Sequence, residues 1–420
     1  MIIMKKKILI ISHKIPYPIV HGGAIAQFFF LEFLMKDYDV TFCTTVSNPY
    51  QTSNAEALKK AIPSLNLVCY TRDSMSNTQS GFDRLNKLAA RTKNKLRHLI
   101  INKKEEKTIV VKDYEFDPDF EFADHGFVTF LNHLFSGTQF DFIQLEFFET
   151  LSLLPLLPAA SKKIVVHHEI RSKKNSLINS ADVPYKNYMV ESMRIIENRY
   201  LDLADSVIVF NEKDKEYLRE LGDKVQVSSF GIPDELIEKQ QESLFFNRFL
   251  FIGGENHYPN KEAVTWFLDM IYLPNSQFVN WPIYITGNWS ESFRKKYKDV
   301  KDIIFTGFLA DLTEVYEHAV MLTPVVSGSG IRTKILQSFA NKIPVMSTKF
   351  ASEGLFEYSE TIDHIVHFEN EGEFLEKFAR MKEDMPLLKE LAVNGFNYFC
   401  KNFNRSDLLA ARMEIYKKIS

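Results

Sequence analysis

One segment of the sequence combines small residues with two cations, in a pattern suited to binding a diphosphate. An apolar run that predicts a buried strand ends in four small residues, which are Ser327, Gly328, Ser329 and Gly330. A predicted helix follows, with Arg332 and Lys334 in its first turn. Small residues let backbone amides approach a ligand, and a helix N-terminus supplies free N–H groups and a positive dipole end. The alternative interpretation is an ordinary tight turn followed by two solvated cations.

Two further candidates follow strands in the first half of the chain. Gly22 and Gly23 form a loop after the predicted strand Lys7–Ser12, and His167 and His168 end the predicted strand Lys163–His168. Open α/β sheets bind ligands at the carboxyl ends of their strands, where a histidine can orient or polarise a substrate hydroxyl. Adjacent strand residues point to opposite faces, so the two histidines are not expected to share a metal. A flexible turn and a satisfied surface histidine are the alternatives.

Alternating strands and helices must position these residues. Short β-rich runs, Phe140–Leu145 among them, alternate with helical patterns up to about residue 232, and the same alternation restarts at Arg248 after a charged linker. This alternation predicts parallel sheets. We therefore expect an α/β fold with two doubly wound, Rossmann-like domains, residues 1–232 and 245–404. A final helix, residues 405–420, could pack on either of them.

Composition excludes several classes of protein. The 420 residues are 45% hydrophobic and 25% charged, as in an ordered globular chain. A net charge of −3 argues against a chain-wide electrostatic grip on nucleic acid. Cys43, Cys69 and Cys400 form no zinc or disulfide pattern and suit a reducing compartment. No apolar run approaches the ~20 residues of a membrane span, so we expect a cytoplasmic protein.

Residues 82–104 predict a basic amphipathic helix. Apolar residues recur on one helical stripe, and eight Lys and Arg residues surround it against a single acid, Asp83. Such a helix could make peripheral contact with the anionic inner face of a membrane, or it could hold a charged acceptor. The alternative is an ordinary helix with a solvated basic face.

Three segments resemble the GT-B glycosyltransferases of family 4, in the branch that works in bacterial polysaccharide and glycan synthesis. Arg199–Leu221 is similar to the family's "ADxVxxxSExDxxxL" segment, and Phe249–Leu268 is similar to the opening of its donor domain. Ile303–Leu355, which contains the small-residue loop, is the most specific of the three. The resemblance implies two domains that face each other across a cleft, with the last helix returning to the first domain.

The resemblance also implies an activity. Such enzymes bind a nucleotide-sugar in the second domain and a glycan or lipid-linked acceptor in the first, and most of them retain the anomeric configuration. We therefore expect a retaining hexosyltransferase with a nucleotide-sugar as co-substrate, no other cofactor and no metal. A catalytically silent GT-B subunit that binds a partner, and a GT-B sugar-nucleotide epimerase or hydrolase, are the alternatives.

Individual roles follow from the matching motifs. The resemblance assigns donor binding to Gly22, Gly23, Gly253, Gly254, Asn260, Gly307, Ser327, Gly328, Ser329, Gly330, Arg332, Lys334 and Gln337. His168 would face the sugar, and Glu146 stands where the branch carries an acid on the acceptor side. Gln337 replaces a Glu that usually accepts hydrogen bonds from the ribose. It keeps an acceptor but loses a charge-assisted bond, which is about twice as strong as a neutral one.

Overall fold

The structure is a computed structural model. It describes residues 5–19, 21–71, 120–177, 183–237, 245–309, 311–328, 330–356 and 363–420. Ser329 and the predicted basic helix at 82–104 lie outside these ranges.

The first half of the chain forms a seven-stranded sheet in which every pairing is parallel. Its strands are β1 (Lys7–Ser12), β2 (Asp39–Val46), β3 (Asn66–Thr71), β4 (Phe142–Glu146), β5 (Lys162–Val166), β6 (Ser206–Val209) and β7 (Val225–Val227). They lie in the order β3-β2-β1-β4-β5-β6-β7. The helices described with it are α1 (Gly22–Asp37), α2 (Pro49–Ala61), α3 (His125–Gly137), α4 (Arg171–Ser176), α5 (Val183–Leu201) and α6 (Glu212–Tyr217).

The second half repeats this plan with a six-stranded parallel sheet. Its strands are β8 (Arg248–Ile252), β9 (Ile283–Thr286), β10 (Ile303–Gly307), β11 (Ala319–Thr323), β12 (Val345–Ser347) and β13 (Ile365–His367), in the order β10-β9-β8-β11-β12-β13. The helices described with it are α7 (Tyr258–Phe267), α8 (Glu291–Lys296), α9 (Thr313–Tyr316), α10 (Thr333–Ala340), α11 (Glu371–Glu383), α12 (Met385–Asn402) and α13 (Arg405–Ile419).

The central strands form because both of their faces are covered. In β1, the residues from Ile8 to Ser12 are all buried, and every residue of β11 is buried. Continuous apolar runs of this kind are typical of parallel strands with helices on both sides. The two Rossmann-like domains predicted from the alternation are therefore confirmed.

Three details differ from the sequence-based expectations. Gly22 and Gly23 do not form a loop but begin α1, because His21 caps the helix by accepting a hydrogen bond from the backbone N–H of Ala24 at 3.0 Å. The strand predicted to end at Leu145 is β4 and continues to Glu146. The strand predicted to end at His168 is β5 and ends at Val166, so both histidines follow it directly.

The last helix packs against the first sheet. The Arg412 guanidinium of α13 donates to Ser228 Oγ at 2.8 Å, just after β7, and the Tyr416 hydroxyl donates to Gln144 on β4. Both α13 side chains are almost fully buried. The chain therefore passes through the second domain and returns to the first.

Candidate active site

The strand orders locate a crevice in each domain. The order reverses between β1 and β4 in the first sheet and between β8 and β11 in the second. Ligands of doubly wound sheets bind outside the carboxyl ends of the strands at such a switch point. Glu146 ends β4, the glycines of α1 follow β1, and the small-residue loop follows β11. Most of the residues singled out in the sequence therefore lie at these two switch points.

Asn260 connects the two sides of the switch point in the second domain. Its side chain donates to the Gly254 carbonyl at 3.1 Å, just after β8, and accepts from Lys334 Nζ at 2.9 Å, on α10. Gly253 must lack a side chain here, because its φ is +153° and a Cβ would lie 2.5 Å from Asn260 Nδ2. The structure thus brings together Gly253, Gly254, Asn260 and Lys334, which are separated by up to 81 positions in the sequence.

The hydrogen-bond partner and the aromatic neighbour of Lys334 are both neutral. Besides Asn260, its described neighbours include the Phe251 ring, whose centroid lies 4.0 Å from Nζ. Burial lowers the pKa of Lys334 to about 7, and the charge of Arg332 lowers it further in the same direction. No carboxylate in the described part of the chain forms an ion pair with it. An anionic ligand would supply the missing counter-charge.

Arg332 shapes the small-residue loop. Its guanidinium donates to the carbonyl oxygens of Gly330 at 2.6 Å and Ser327 at 3.3 Å, and it lies over the Phe350 ring. Gly328 and Gly330 both have positive φ, at +100° and +78°. Burial lowers the pKa of Arg332, and a guanidinium stays charged in proteins. The loop is therefore curved around a fixed positive charge next to the start of α10.

The first domain approaches this loop closely. An ideal Cβ on Gly22 would lie 3.2 Å from Thr333 Cγ2, at the first residue of α10. One on Gly330 would lie 3.2 Å from the backbone oxygen of His168. The Lys213 ammonium of α6 also pairs with Glu353 of the second domain at 2.7 Å. The predicted phosphate loop thus faces the predicted catalytic histidine across a narrow gap between the domains.

His168 is held by Glu146. The distance from His168 Nε2 to Glu146 Oε2 is 2.5 Å, and both side chains are buried. The Glu146 carboxylate also accepts a hydrogen bond from the side-chain amide of Gln144, and its expected place on the acceptor side stays a prediction. Burial lowers the pKa of His168. A neutral imidazole bound in this way donates Nε2–H to the carboxylate and leaves Nδ1 as an acceptor.

Phe147 covers His168 and was not singled out in the sequence. The two rings stack with centroids 3.8 Å apart. Phe147 has a φ of +71°, a conformation that is strained for an aromatic residue. A Cβ on Gly23 would lie 2.8 Å from the Phe147 ring, so this glycine makes room for the covering ring. No motif marks Phe147, although the position after a strand-ending acid could have drawn attention to it.

His167 occupies a different environment. Its Nε2 lies 3.2 Å from Glu197 Oε1 on α5, and both side chains are fully buried. Glu197 also accepts hydrogen bonds from the backbone N–H groups of Arg171 and Ser172, at the start of α4. His167 therefore belongs to the core between the sheet and α5, and it lies on the opposite face from His168, as the alternation of faces predicts.

Two further residues assigned to donor binding, Gln337 and Gly307, lie outside the small-residue loop. Gln337 is buried on α10, one turn after Lys334 and on the same face. Gly307 ends β10 and lines an open pocket of about 510 Å³ in the second domain. Asn288, Trp289 and Phe305 also line this pocket. Its size and its place beside the switch point suit a nucleoside.

Two kinds of feature are absent from the described residues. Nowhere in these ranges do three His, Cys, Asp or Glu side chains come together in a group that could hold a metal ion. Likewise, none of the helices described here is both long and apolar enough to cross a membrane.

The arrangement of the two domains corresponds to a known architecture. Two Rossmann-like domains with their switch points facing each other form the GT-B architecture. Residues 247–384, which lie in the second domain, match the family model described as "Glycosyl transferases group 1".

Known proteins resemble the whole chain. An uncharacterized 44.6 kDa protein in the cps region of Klebsiella pneumoniae is 20% identical over 96% of this chain and 98% of its own length. Sucrose-phosphate synthase from Thermosynechococcus elongatus matches with a TM-score of 0.67 and 13% identity, covering 99% of both chains. A variant of S. aureus TarM, solved with Fondaparinux, alpha-GlcNAc-glycerol and UDP, matches with a TM-score of 0.64 and 12% identity over 98% of this chain and 99% of its own.

Proposed function

We propose that this protein is a retaining glycosyltransferase of the family 4 type. It moves a sugar from a nucleotide-sugar to a glycan or lipid-linked acceptor during bacterial polysaccharide or glycoconjugate synthesis. The group 1 domain at 247–384 and the cps-region relative support this assignment. The complex of TarM with UDP is a further reason to assign a nucleotide-sugar donor to this fold.

The observation that carries the proposal is the environment of Lys334. An ammonium group whose pKa is lowered to about 7 lies at the start of α10, beside a glycine loop and a second cation, Arg332. Its hydrogen-bond partner in the structure, Asn260, is neutral. A diphosphate would complete this arrangement, because it offers negative charge to both cations and acceptor oxygens to the loop amides.

The same groups would act during the reaction. As the glycosidic bond to the donor breaks, negative charge develops on the leaving diphosphate. Arg332, Lys334 and the loop amides stabilise that charge most strongly in the transition state, which is the requirement for catalysis. Fixed protein cations then supply the charge stabilisation without a metal. In a retaining reaction, the departing phosphate can take the proton of the acceptor hydroxyl.

His168 is assigned to the sugar. Its Nε2–H is committed to Glu146, so Nδ1 is the atom available to accept a hydrogen bond from a sugar hydroxyl. This Nδ1 atom is buried and has no hydrogen-bond partner in the described part of the chain, so the site has to open around it when the donor enters. Closure of the two domains around the donor would exclude water and limit its hydrolysis.

We place the enzyme in the cytoplasm, peripherally on the inner face of the membrane, where residues 82–104 would contact anionic lipid. Neither nucleic acid nor a metal is part of the proposed activity.

Donor binding is tested first, by a thermal-shift screen of UDP, GDP and dTDP. A ligand at 100 times its Kd adds about 2.7 kcal/mol of stability, which is readily detected. Lys334→Ala and Arg332→Ala should then weaken binding of the selected nucleoside diphosphate far more than binding of its nucleoside. Lys295→Ala, an exposed lysine on α8, is the matched control. Equal losses for both ligands would contradict the phosphate assignment.

Turnover is tested with the corresponding nucleotide-sugars. We expect slow release of the nucleoside diphosphate without an acceptor, and faster release with extracted glycans or acceptor lipids. Gln337 favours a second candidate, a catalytically silent subunit, because the usual ribose-binding carboxylate is absent. Binding of a nucleotide without turnover, even with acceptor extracts, would support that alternative.

A further inference from the structure

A buried chain of hydrogen bonds connects the last helix to His168. The Tyr416 hydroxyl on α13 donates to Gln144 Oε1, and Gln144 Nε2 donates to Glu146 Oε1. The other oxygen of Glu146 binds His168 Nε2 at 2.5 Å. All four side chains are buried, and Tyr416 is 272 positions away from Gln144 in the sequence.

The positions of these residues along β4 and α13 bring their side chains together. Gln144 and Glu146 are two positions apart on β4, so their side chains lie on the same face of the sheet. Arg412 and Tyr416 are four positions apart on α13 and lie on the same side of the helix. Arg412 is fixed by Ser228 and by the Phe30 ring, 3.8 Å from its guanidinium carbon, which holds α13 against the sheet.

We propose that Tyr416 and Gln144 are positioning residues for the Glu146–His168 pair. They fix the Glu146 carboxylate so that it always accepts from Nε2–H of His168, which leaves Nδ1 bare and able to accept from a hydroxyl. This inference rests on the proposed function for the identity of that hydroxyl. The hydrogen-bond chain itself, and its effect on the imidazole, do not depend on it.

The chemistry of Gln144 explains why Tyr416 is needed. A side-chain amide can rotate to exchange its oxygen and its NH₂ group. The tyrosine hydroxyl donates to the oxygen and thereby turns the NH₂ group toward Glu146. Burial raises the pKa of Tyr416, so the hydroxyl keeps its proton. Without this donor, the amide oxygen can face the carboxylate and repel it.

The charges around His168 come from several elements. Glu146 on β4 is its direct partner, while Lys14 after β1 and Arg412 on α13 oppose its protonation. His13 and His21, in the segment between β1 and α1, also face it. None of these four flanking groups forms a hydrogen bond with the His168 ring in the described part of the chain. The tautomer of a neutral His168 therefore depends mainly on its hydrogen bond to Glu146.

The experiment compares Tyr416→Phe with Tyr38→Phe. The Tyr38 and Tyr416 rings lie 5.9 Å apart, but the Tyr38 hydroxyl has no hydrogen bond in the described part of the chain, so Tyr38→Phe is the matched control. Both variants are prepared as full-length protein with ¹⁵N-labelled histidine. The His168 signal is identified by its loss in His168→Gln, since the chain has 11 histidines.

The expected spectrum shows a single tautomer, with the proton on Nε2, in the wild type and in Tyr38→Phe. Tyr416→Phe should give a mixture of the two tautomers. In turnover assays, kcat should fall about ten-fold in Tyr416→Phe with KM nearly unchanged, because nucleotide contacts are intact while the imidazole is misoriented in part of the molecules. Gln144→Leu should reproduce both changes, and it carries the test if Tyr416→Phe does not fold.

The outcomes separate this inference from the proposed function. An unchanged His168 spectrum in folded Tyr416→Phe or Gln144→Leu would overturn the positioning role. A changed spectrum, in a protein that transfers no sugar from any nucleotide-sugar, would uphold the positioning role and reject the proposed function. A changed spectrum with wild-type kcat would overturn the inference that this orientation serves turnover.

Discussion

His167 and His168 are neighbours in the chain, and each binds a glutamate through Nε2, yet the two pairs lie on opposite faces of the first sheet. The His167–Glu197 pair is sealed between the sheet and α5, with both side chains at 0% exposure. The His168–Glu146 pair lies at the switch point, where the second domain approaches within contact distance of the His168 backbone.

The two pairs differ in the other groups that lie around them. Glu197 accepts from the Ser172 side chain and from two backbone N–H groups that begin α4, so its charge has protein partners on both oxygens. The site on the other face combines the imidazole of His168, which is hydrogen-bonded to Glu146, with Lys334. The hydrogen-bond partner of Lys334 is a neutral amide. A pair whose carboxylate has protein partners on both oxygens contributes to the stability of the fold. Charged groups that have no protein counter-charge at a crevice are suited to binding a ligand.

The largest expected effect separates the two histidines by turnover. His168→Ala should lower kcat on the order of 100-fold, because it removes the group that orients the sugar, while nucleoside diphosphate affinity changes little. Steady-state kinetics with the donor found by the nucleotide screen, together with calorimetric nucleotide binding, measures both quantities.

His167→Ala is the companion variant. It should retain turnover per folded molecule but melt earlier, because Glu197 loses a buried partner. Both variants are compared as folded protein at a temperature below their melting transitions. An inactive, folded His167→Ala beside an active His168→Ala would reverse the assignment of the two histidines.

The next effect concerns stability. Glu197→Ala removes a buried carboxylate that accepts hydrogen bonds from His167 and from the start of α4, and should lower the free energy of unfolding by about 3 kcal/mol. Urea unfolding monitored by circular dichroism measures it. Glu191→Ala, at an exposed position of the same helix, should change little. A similar small change for both variants would show that Glu197 is not needed for the fold.

The contrast between the pairs was only partly predictable from the sequence. Alternation along a strand predicts that adjacent histidines face opposite sides, and the strand periodicity and the small-residue loop predict two parallel-sheet domains with a site at β11. The partners of the histidines were not predictable, because Glu197 and Glu146 lie 30 and 22 positions away from them. Tyr416 carries no local signal at all, since only the return of α13 brings it to β4. Gln144 and Glu146, two polar residues on one face of a buried strand, were the signal that could have revealed the network.

The third prediction uses pH to test whether the Lys334 ammonium group binds an anion. The pKa of Lys334 in the free protein is about 7, and a bound diphosphate should raise it. Above pH 7 the free protein has lost the ammonium proton that the complex keeps. Binding therefore takes up a proton, and affinity falls with rising pH, by at most about ten-fold per unit. Below pH 7 the ammonium is present in both states and this dependence disappears.

Calorimetry of nucleoside diphosphate binding at pH 8, in two buffers of different ionisation enthalpy, measures the proton uptake. The wild type should take up a proton, and Lys334→Met should not. The interval from pH 7 to 9 also avoids titration of the phosphate itself, whose second pKa is near 6. A pH-independent affinity of the wild type across this interval would show that the ammonium does not face the phosphates.

The smallest expected effect concerns Gln337, which lies one turn after Lys334 on α10. If its amide oxygen accepts from the ribose, Gln337→Glu should tighten nucleoside diphosphate binding by about 1 kcal/mol, roughly five-fold, because a charged acceptor makes the stronger hydrogen bond. Inorganic pyrophosphate, which lacks the ribose, is the matched ligand, and its affinity should not increase. If both ligands gain equally, the new carboxylate acts by raising the pKa of Lys334 and not through the ribose. If neither gains in a folded variant, the ribose is held elsewhere, and the open pocket beside Gly307 becomes the region to probe.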